Sequence, residues 1–247
     1  MKRIPIILRR RWTPARLGGQ VAVWSDARDG VQVASGAATL VPDKSPFARD
    51  WSQATAGNRP LWSATGFNGV RPGLTFDGVD DYLSVANIGA IPQPFLIAMA
   101  INGYTGGAGN ADMYREDATG GPVAYRNGGG ASWTLHAGNF FDSATPYDTG
   151  PTVHLAYFNG ASSILSNTST EVTGDAGTNG ITGGQFNLGL GFNHSTGSVA
   201  AMQHAEIVIV QGPVDAELRG RIRAYLAWNS QFQAKLASTD PYRWRAP

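Results

Sequence analysis

Short apolar runs, each closed by glycine, asparagine, aspartate or proline, recur along most of this chain. They include "LTFDG" (74–78), "DYLSV" (81–85), "FLIAMAI" (95–101), "SWTLHA" (132–137), "TVHLAYF" (152–158), "SSILSN" (162–167), "QFNLGLGF" (185–192) and "HAEIVIVQ" (204–211). Runs of this length are too short for typical helices, and most alternate with the period of a strand half-buried on a core. Many short strands separated by turn signals point to a sandwich or a barrel. The 247 residues suit one large domain or two small ones, and all-β sandwiches reach this size as a single unit. Residues 13–72 read as loops and short strands. No internal repeat or low-complexity linker marks a domain boundary.

Composition narrows the class. Charged residues make up 15% and apolar residues 42%, which is too apolar for a disordered chain. The 32 glycines are scattered rather than periodic, as turns require and collagen does not. There is no cysteine, so disulfide and thiolate chemistry are excluded. No run approaches the ~18 apolar residues needed to span a bilayer, so no membrane insertion is expected. The opening "MKRIPIILRRRW" has an apolar stretch of only Ile4 to Leu8, broken by Pro5 and closed by arginines. An export signal needs about 7–15 apolar residues, so export by this route is not expected.

The charge is unevenly placed. Residues 1–16 carry Lys2, Arg3, Arg9, Arg10, Arg11 and Arg16 with no acid, which is +6; the rest of the chain therefore nets −5 against the overall +1. A basic arm over residues 1–11, ahead of a single body over 12–247, fits docking to an acidic surface; an edge strand flanked by solvated arginines fits equally. One segment departs from the strand pattern. "GPVDAELRGRIRAYLAWNSQF" places Leu218, Ile222, Tyr225 and Leu226 at helical spacing, with Asp215 able to cap the start and Glu217 one turn before Arg221. An amphipathic helix over 215–232 is expected, packed by its apolar face. The tail "STDPYRWRAP" reads as an extended strap.

"GLTFDGVDDYLSV" (73–85) poses the sharpest question, because Asp77, Asp80 and Asp81 fall within five positions. A tight turn explains Asp77 and Gly78, since glycine accepts positive φ and aspartate bonds its own backbone. A calcium site built from the three aspartates is the alternative, although calcium takes 6–8 oxygens and one short loop supplies few.

Three stretches carry a family resemblance. "RPLWSATGFNGVRPGLTFDGVDDYL" resembles the front of laminin-G-like domains in the concanavalin A-like lectin/glucanase superfamily. "HLAYFNGASSILSNTSTEVTGDAGTNG" is similar to the strand, turn and strand that follow in that family. "AEIVIVQGPVDAELRGRIRAYLAWNSQFQAKLASTDPYRWRAP" resembles the closing strand, helix and Pro-ended tail of a subgroup frequent among bacteriophage structural proteins and bacterial surface proteins. The resemblance runs from about Trp12 to Pro247. It implies an all-β, concanavalin A-like jelly-roll sandwich with one C-terminal helix, and a strand–turn–strand at the aspartate triplet.

The resemblance leaves function open, because this fold carries enzymes, lectins and scaffolds alike. Glycanases of the superfamily use an "E-x-D-x-x-E" strand to hold a carboxylate pair across the scissile bond. None of the four glutamates (Glu116, Glu171, Glu206, Glu217) begins that pattern, and Glu206 reads as a structural hydrogen-bonder. The histidines at 136, 154, 194 and 204 are single and fit no metal motif. What remains is loop surface rich in rings and amides over 114–147. Trp133 is the first candidate for a sugar-stacking ring, with Tyr125, Asn127 and Asp142 as hydroxyl partners. Trp133 could instead begin a strand and point into the core. The expectation is a non-enzymatic protein of a bacteriophage virion surface, in tail, tail tip or head decoration. Its arm (Lys2, Arg3, Arg9, Arg10, Arg11) would dock other virion proteins, it would be present in many copies, and it would bind host-surface polysaccharide with no cofactor. A carbohydrate-binding module outside any particle is the rival, and a diverged glycoside hydrolase a more distant one.

Overall fold

The computed structural model describes residues 11–106, 111–117, 121–126, 132–146, 148–189 and 200–247. Among them lie β1 (Val21–Asp26), β2 (Gln32–Ala34), β3 (Ala37–Val41), β4 (Trp51–Ser52), β5 (Leu61–Phe67), β6 (Arg71–Asp77), β7 (Leu83–Val85) and β8 (Phe95–Gly106). They are followed by β9 (Ala111–Glu116), β10 (Val123–Arg126), β11 (Ser132–His136), β12 (Phe140–Pro146), β13 (Thr152–Phe158), β14 (Ser163–Ser166), β15 (Glu171–Gly174), β16 (Phe186–Leu188) and β17 (Ala200–Gln211), and then by α1 (Ala216–Asn229). All pairings between these strands are antiparallel.

The hydrogen-bonded strands fold into two facing layers. In one, β8 lies between β17 and β13; β17 pairs on its other edge with β6 and β1, and β13 leads to β14 and β15. In the other, β12, β11, β10, β9, β16, β7, β4, β3 and β2 follow in sequence. The core between them draws Phe76, Ile97, Met99, Ile207 and Ile209 from the first layer and Trp51, Leu83, Tyr114, Leu135 and Phe186 from the second. This is an all-β jelly-roll sandwich with one C-terminal helix, as expected.

The central strand β8 shows why a helix is needed. Phe95, Ile97, Met99 and Ile101 face the inter-sheet core, while Leu96, Ala98 and Ala100 join a second apolar cluster on the other side. A strand apolar on both faces must be covered on both. Helix α1 supplies the cover with Ile222, Ala224, Leu226 and Ala227. Asp215 caps it by accepting from Leu218 N at 2.7 Å, and Glu217 pairs with Arg221 across one turn. The helix is shorter than the expected 215–232, because the chain leaves it at Ser230 and Gln231 takes φ 64°. Arg219 and Arg223 both reach Glu171 on β15, at 3.2 and 3.1 Å, which pins the helix across the sheet.

The tail departs from the expected extended strap. It runs through turns, with Tyr242 O accepting from Trp228 Nε1 at 2.7 Å, and returns so that Pro247 O accepts from Trp12 N at 2.9 Å. Of the basic arm, Lys2, Arg3, Arg9 and Arg10 lie outside the described residues, and Arg11 is exposed.

Candidate functional site

Strands β9 to β12 form a ribbon whose inner face sends Met113, Ala124, Trp133, Leu135 and Phe141 into the inter-sheet core. Strand alternation turns the intervening residues of β11 and β12 outward, away from both the core and the helix. Register arranges the ribbon in cross-strand rows. Arg115 pairs with Val123, Val123 with His136, and His136 with Phe140. One step along, Asp112 pairs with Tyr125, Tyr125 with Thr134, and Thr134 with Asp142.

The exposed chemistry of this face is compact. The Phe140 ring is 72% exposed and lies 4.5 Å from the His136 imidazole, tilted by 37°. Burial, helped by the charge of Arg115, lowers the His136 pKa, so the ring is neutral at pH 7. Asn139, at the hairpin tip, donates through Nδ2 to Asp175 Oδ2 at 2.9 Å. Exposed Asp142 accepts from Ser132 Oγ at 2.6 Å, and Arg115 Nη1 meets Asp112 Oδ2 at 3.1 Å. The Thr134 hydroxyl is buried with no partner among the described residues. An open ring beside mixed donors and acceptors suits the two faces of a sugar, which offers C–H groups to a ring and hydroxyls to amides and carboxylates.

The expected site residues fare differently. Trp133 is corrected: it is 2% exposed and packs in the core, 4.5 Å from Tyr104 and 4.9 Å from His154, and so presents no face to solvent. Its place on β11 puts it on the same side as Leu135, whose inward direction the core demands. Asp142 is exposed on the ribbon as expected. Tyr125 is placed by its backbone pairing with Thr134, one strand from Asp142. Asn127 lies outside the described residues. Phe140 and His136 are the residues that sequence reasoning passed over. The signal for them was the pair Phe140–Phe141: on a strand, one of two adjacent rings must face out.

The aspartate triplet is a turn clip. Asp77 Oδ1 accepts from Val79 N at 2.8 Å and Asp80 N at 3.4 Å, and Asp81 Oδ2 accepts from Asp77 N at 3.0 Å. Gly78 takes φ 80°, and a Cβ there would fall 2.8 Å from the Cβ of Ala201, so the position needs glycine. The carboxylate oxygens of Asp77, Asp80 and Asp81 lie within 4.8 Å of one another. With Asp77 Oδ1 and Asp81 Oδ2 engaged by backbone donors, there remain one oxygen each on Asp77 and Asp81 and the carboxylate of Asp80. That is short of the 6–8 oxygens calcium takes, and the residues do not fit such an ion. Burial, followed by the charges of Asp77 and Asp80, pushes the Asp81 pKa up to about 6 against one backbone hydrogen bond.

Each glutamate is engaged in the architecture. Glu116 is buried and its Oε1 accepts from Thr182 N at 2.6 Å, Thr182 Oγ1 at 2.7 Å and Gly183 N at 3.1 Å. Glu171 and Glu217 hold arginines of α1. Glu206 is fully buried, accepting from Trp24 Nε1 at 2.8 Å, Tyr225 Oη at 2.7 Å and Asn229 Nδ2.

No protein-family model matches the chain, and no curated protein sequence matches it. Solved structures do share its fold. An arabinofuranosidase complexed with arabinofuranosyl-alpha-1,2-xylobiose superposes with a TM-score of 0.56 at 16% identity, over 81% of this chain and 51% of that one. Trypanosoma rangeli sialidase in complex with sialic acid gives 0.56 at 10% identity, over 85% and 33%. Domain 4 of a GH43 extracellular arabinanase from Geobacillus stearothermophilus, in complex with arabinotriose, gives 0.54 at 7% identity, over 81% of this chain and 96% of that domain. The chain thus spans about half the length of the arabinofuranosidase structure but matches nearly the whole of the arabinanase domain. At these identities the likeness establishes the fold alone: the chain is a β-sandwich.

Proposed function

We propose that this protein is a non-enzymatic glycan-binding module, displayed in many copies on the surface of a bacteriophage virion, and that the outer face of β9–β12 is its contact with host polysaccharide. The observation that carries the reading is the exposed Phe140 ring tilted against His136, with Asn139, Asp175 and Asp142 on the same ribbon and its neighbouring loop. The arabinanase domain that matches along nearly its full length was solved with arabinotriose, which adds support from a comparable module. The engagement of all four glutamates in structural contacts argues against a catalytic pair of glutamates open to a scissile bond. The virion setting rests on the sequence resemblance and on the basic arm. A free carbohydrate-binding module is the rival, and co-sedimentation with particles separates the two.

Phe140→Ala tests the glycan site. The ring is exposed, so the melting temperature should move little, while binding to the host's purified surface polysaccharide should fall at least about tenfold, as loss of a stacking ring predicts. A folded variant that binds the polysaccharide as the wild type does would overturn the assignment. Affinity of a single copy is expected to be weak, with multivalent display restoring avidity.

A further inference from the structure

A second concave region lies on the opposite side of the molecule from the β9–β12 face, where the chain's first described residues, α1 and the tail meet. It consists of two clefts of about 420 Å³ each that share Arg11, Trp12, Ala246 and Pro247 as a common wall. The first continues to Arg28 and Lys44, the second to Arg16, Arg221 and Arg245. Among the described residues, no aspartate or glutamate lines either cleft. The nearest acids are engaged: Asp26 holds Arg28 at 2.6 Å, Asp29 holds Lys44 at 2.5 Å, and Glu217 pairs with Arg221. Arg11, Arg16 and Arg245 are exposed at the rim.

The lining selects its occupant by what it offers. Arginine and lysine only donate hydrogen bonds, so the cleft suits an acceptor-rich, negatively charged chain. The rings that line the clefts are held in place by their neighbours. Lys44 Nζ sits 3.9 Å over Trp24, Trp12 meets Tyr225 edge-on at 5.8 Å, and Trp228 donates to the tail at Tyr242. Trp244, 81% exposed in the same tail, has the Arg243 guanidinium 5.1 Å over its ring. The two clefts lie side by side across that shared wall and together make a basic trough wider than a single-ion pocket, and the basic residues 2, 3, 9 and 10 directly precede the wall in the sequence.

From these features we infer that the trough is a docking site for an acidic, extended peptide segment of a neighbouring protein, with carboxylates set against Arg11, Arg16, Arg221 and Arg245. This goes beyond the glycan reading and stands on separate residues. It gives the module an attachment side opposite its display side.

The test uses the full chain and a fluorescein-labelled deca-glutamate peptide, with binding followed by anisotropy at about 50 mM salt. Binding is expected, weakening steeply as salt rises, and about tenfold weaker for the double variant Arg16→Glu, Arg245→Glu, with an unchanged melting temperature. Lys235→Glu, outside the trough, should leave it nearly unchanged. Absence of binding at low salt, or equal losses from Lys235→Glu and Arg245→Glu, would overturn the proposal. So would a polygalacturonate oligosaccharide that displaces the peptide at lower concentration, which would reassign the trough to an acidic glycan. If the melting temperature of the double variant falls, Arg245→Gln alone repeats the comparison. Since Phe140 is remote from the trough, Phe140→Ala should leave peptide binding intact, and failure of either site is therefore read separately.

Discussion

Two adjacent phenylalanines divide β12 between stability and recognition. Phe141 turns inward, and its ring passes so close to β15 that a Cβ on Gly174 would fall 2.3 Å from it, while Phe140 turns out to 72% exposure. The same parity buries Trp133, the largest ring near the expected site, against His154. That histidine is itself 1% exposed, and burial lowers its pKa to about 3 from 6.5. Its Nδ1 has no partner among the described residues. The folded protein therefore keeps His154 neutral while the unfolded chain binds a proton below about pH 6.5. Protons favour unfolding throughout the window from pH 6.5 down to 3, so this group's contribution to stability falls on acidification. At pH 4.5 the penalty is about 2–3 kcal/mol relative to pH 7. Chemical denaturation of the wild type and of His154→Gln across pH 7 to 4.5 checks this. The variant should lose less stability by about that amount; parallel pH profiles would show that His154 is not held neutral by its burial.

At the scale of elements, the sequence was most legible where burial is strongest. Strand β13 spans Thr152–Phe158, the whole of the run "TVHLAYF", because every residue in it is buried. β17 begins at Ala200, ahead of the apolar run that announces it, since its first half pairs with β6 and β8 and Gln203 there accepts from Asn102 at 2.7 Å. β2 to β4 are only two to five residues long, and their buried side chains, Ala38, Val41 and Trp51, are too few to mark an apolar period. The candidate site was half legible for a related reason. Composition located it within 114–147, yet which ring faces out depends on the cross-strand register of β11 and β12, a non-local property. Helix α1 was readable from its spacing, and its role follows from the face of β8 that it covers. Ile222 is fully buried there with Leu226. Ile222→Ala should cost about 2–5 kcal/mol, the range for large-to-small changes in a core. A clear drop in melting temperature, with glycan binding by the folded fraction unchanged, is the expected result; an unaltered melting temperature would mean the helix does not dock by this face.

At the scale of the whole molecule, three layers separate two surfaces: the β9–β12 face on one side, and the helix with its basic trough on the other. The seam between helix and sandwich is polar at its centre. Asp26 of β1 and Glu206 of β17 are both fully buried, and Arg71 of β6 pairs with Asp26 and lies 3.8 Å from Glu206. Arg71 Nη1 also donates to Asn229 O at 3.0 Å and Ser230 Oγ at 2.9 Å, so one side chain joins three strands to the end of the helix. Burial raises the pKa of Glu206, with the charge of Asp26 adding to it, whereas Asp26, though burial opposes it, is held below its ordinary range by Arg28 and Arg71. Removing Arg71 would leave two like charges buried side by side. Arg71→Met should therefore destabilise the fold by about 3–5 kcal/mol, as breaking a buried pair does. Asp26 would keep Arg28, with Nη2 to Oδ2 at 2.6 Å, so Glu206 becomes the uncompensated member. Adding Glu206→Gln to Arg71→Met should then recover part of the loss, since the amide carries no charge into the seam. Denaturant unfolding of the two single variants and the double variant gives the coupling directly, and about 1 kcal/mol or more of non-additivity is expected. Strictly additive losses would mean that Arg71 holds the helix through Asn229 and Ser230 alone, with the buried acids balanced by other donors.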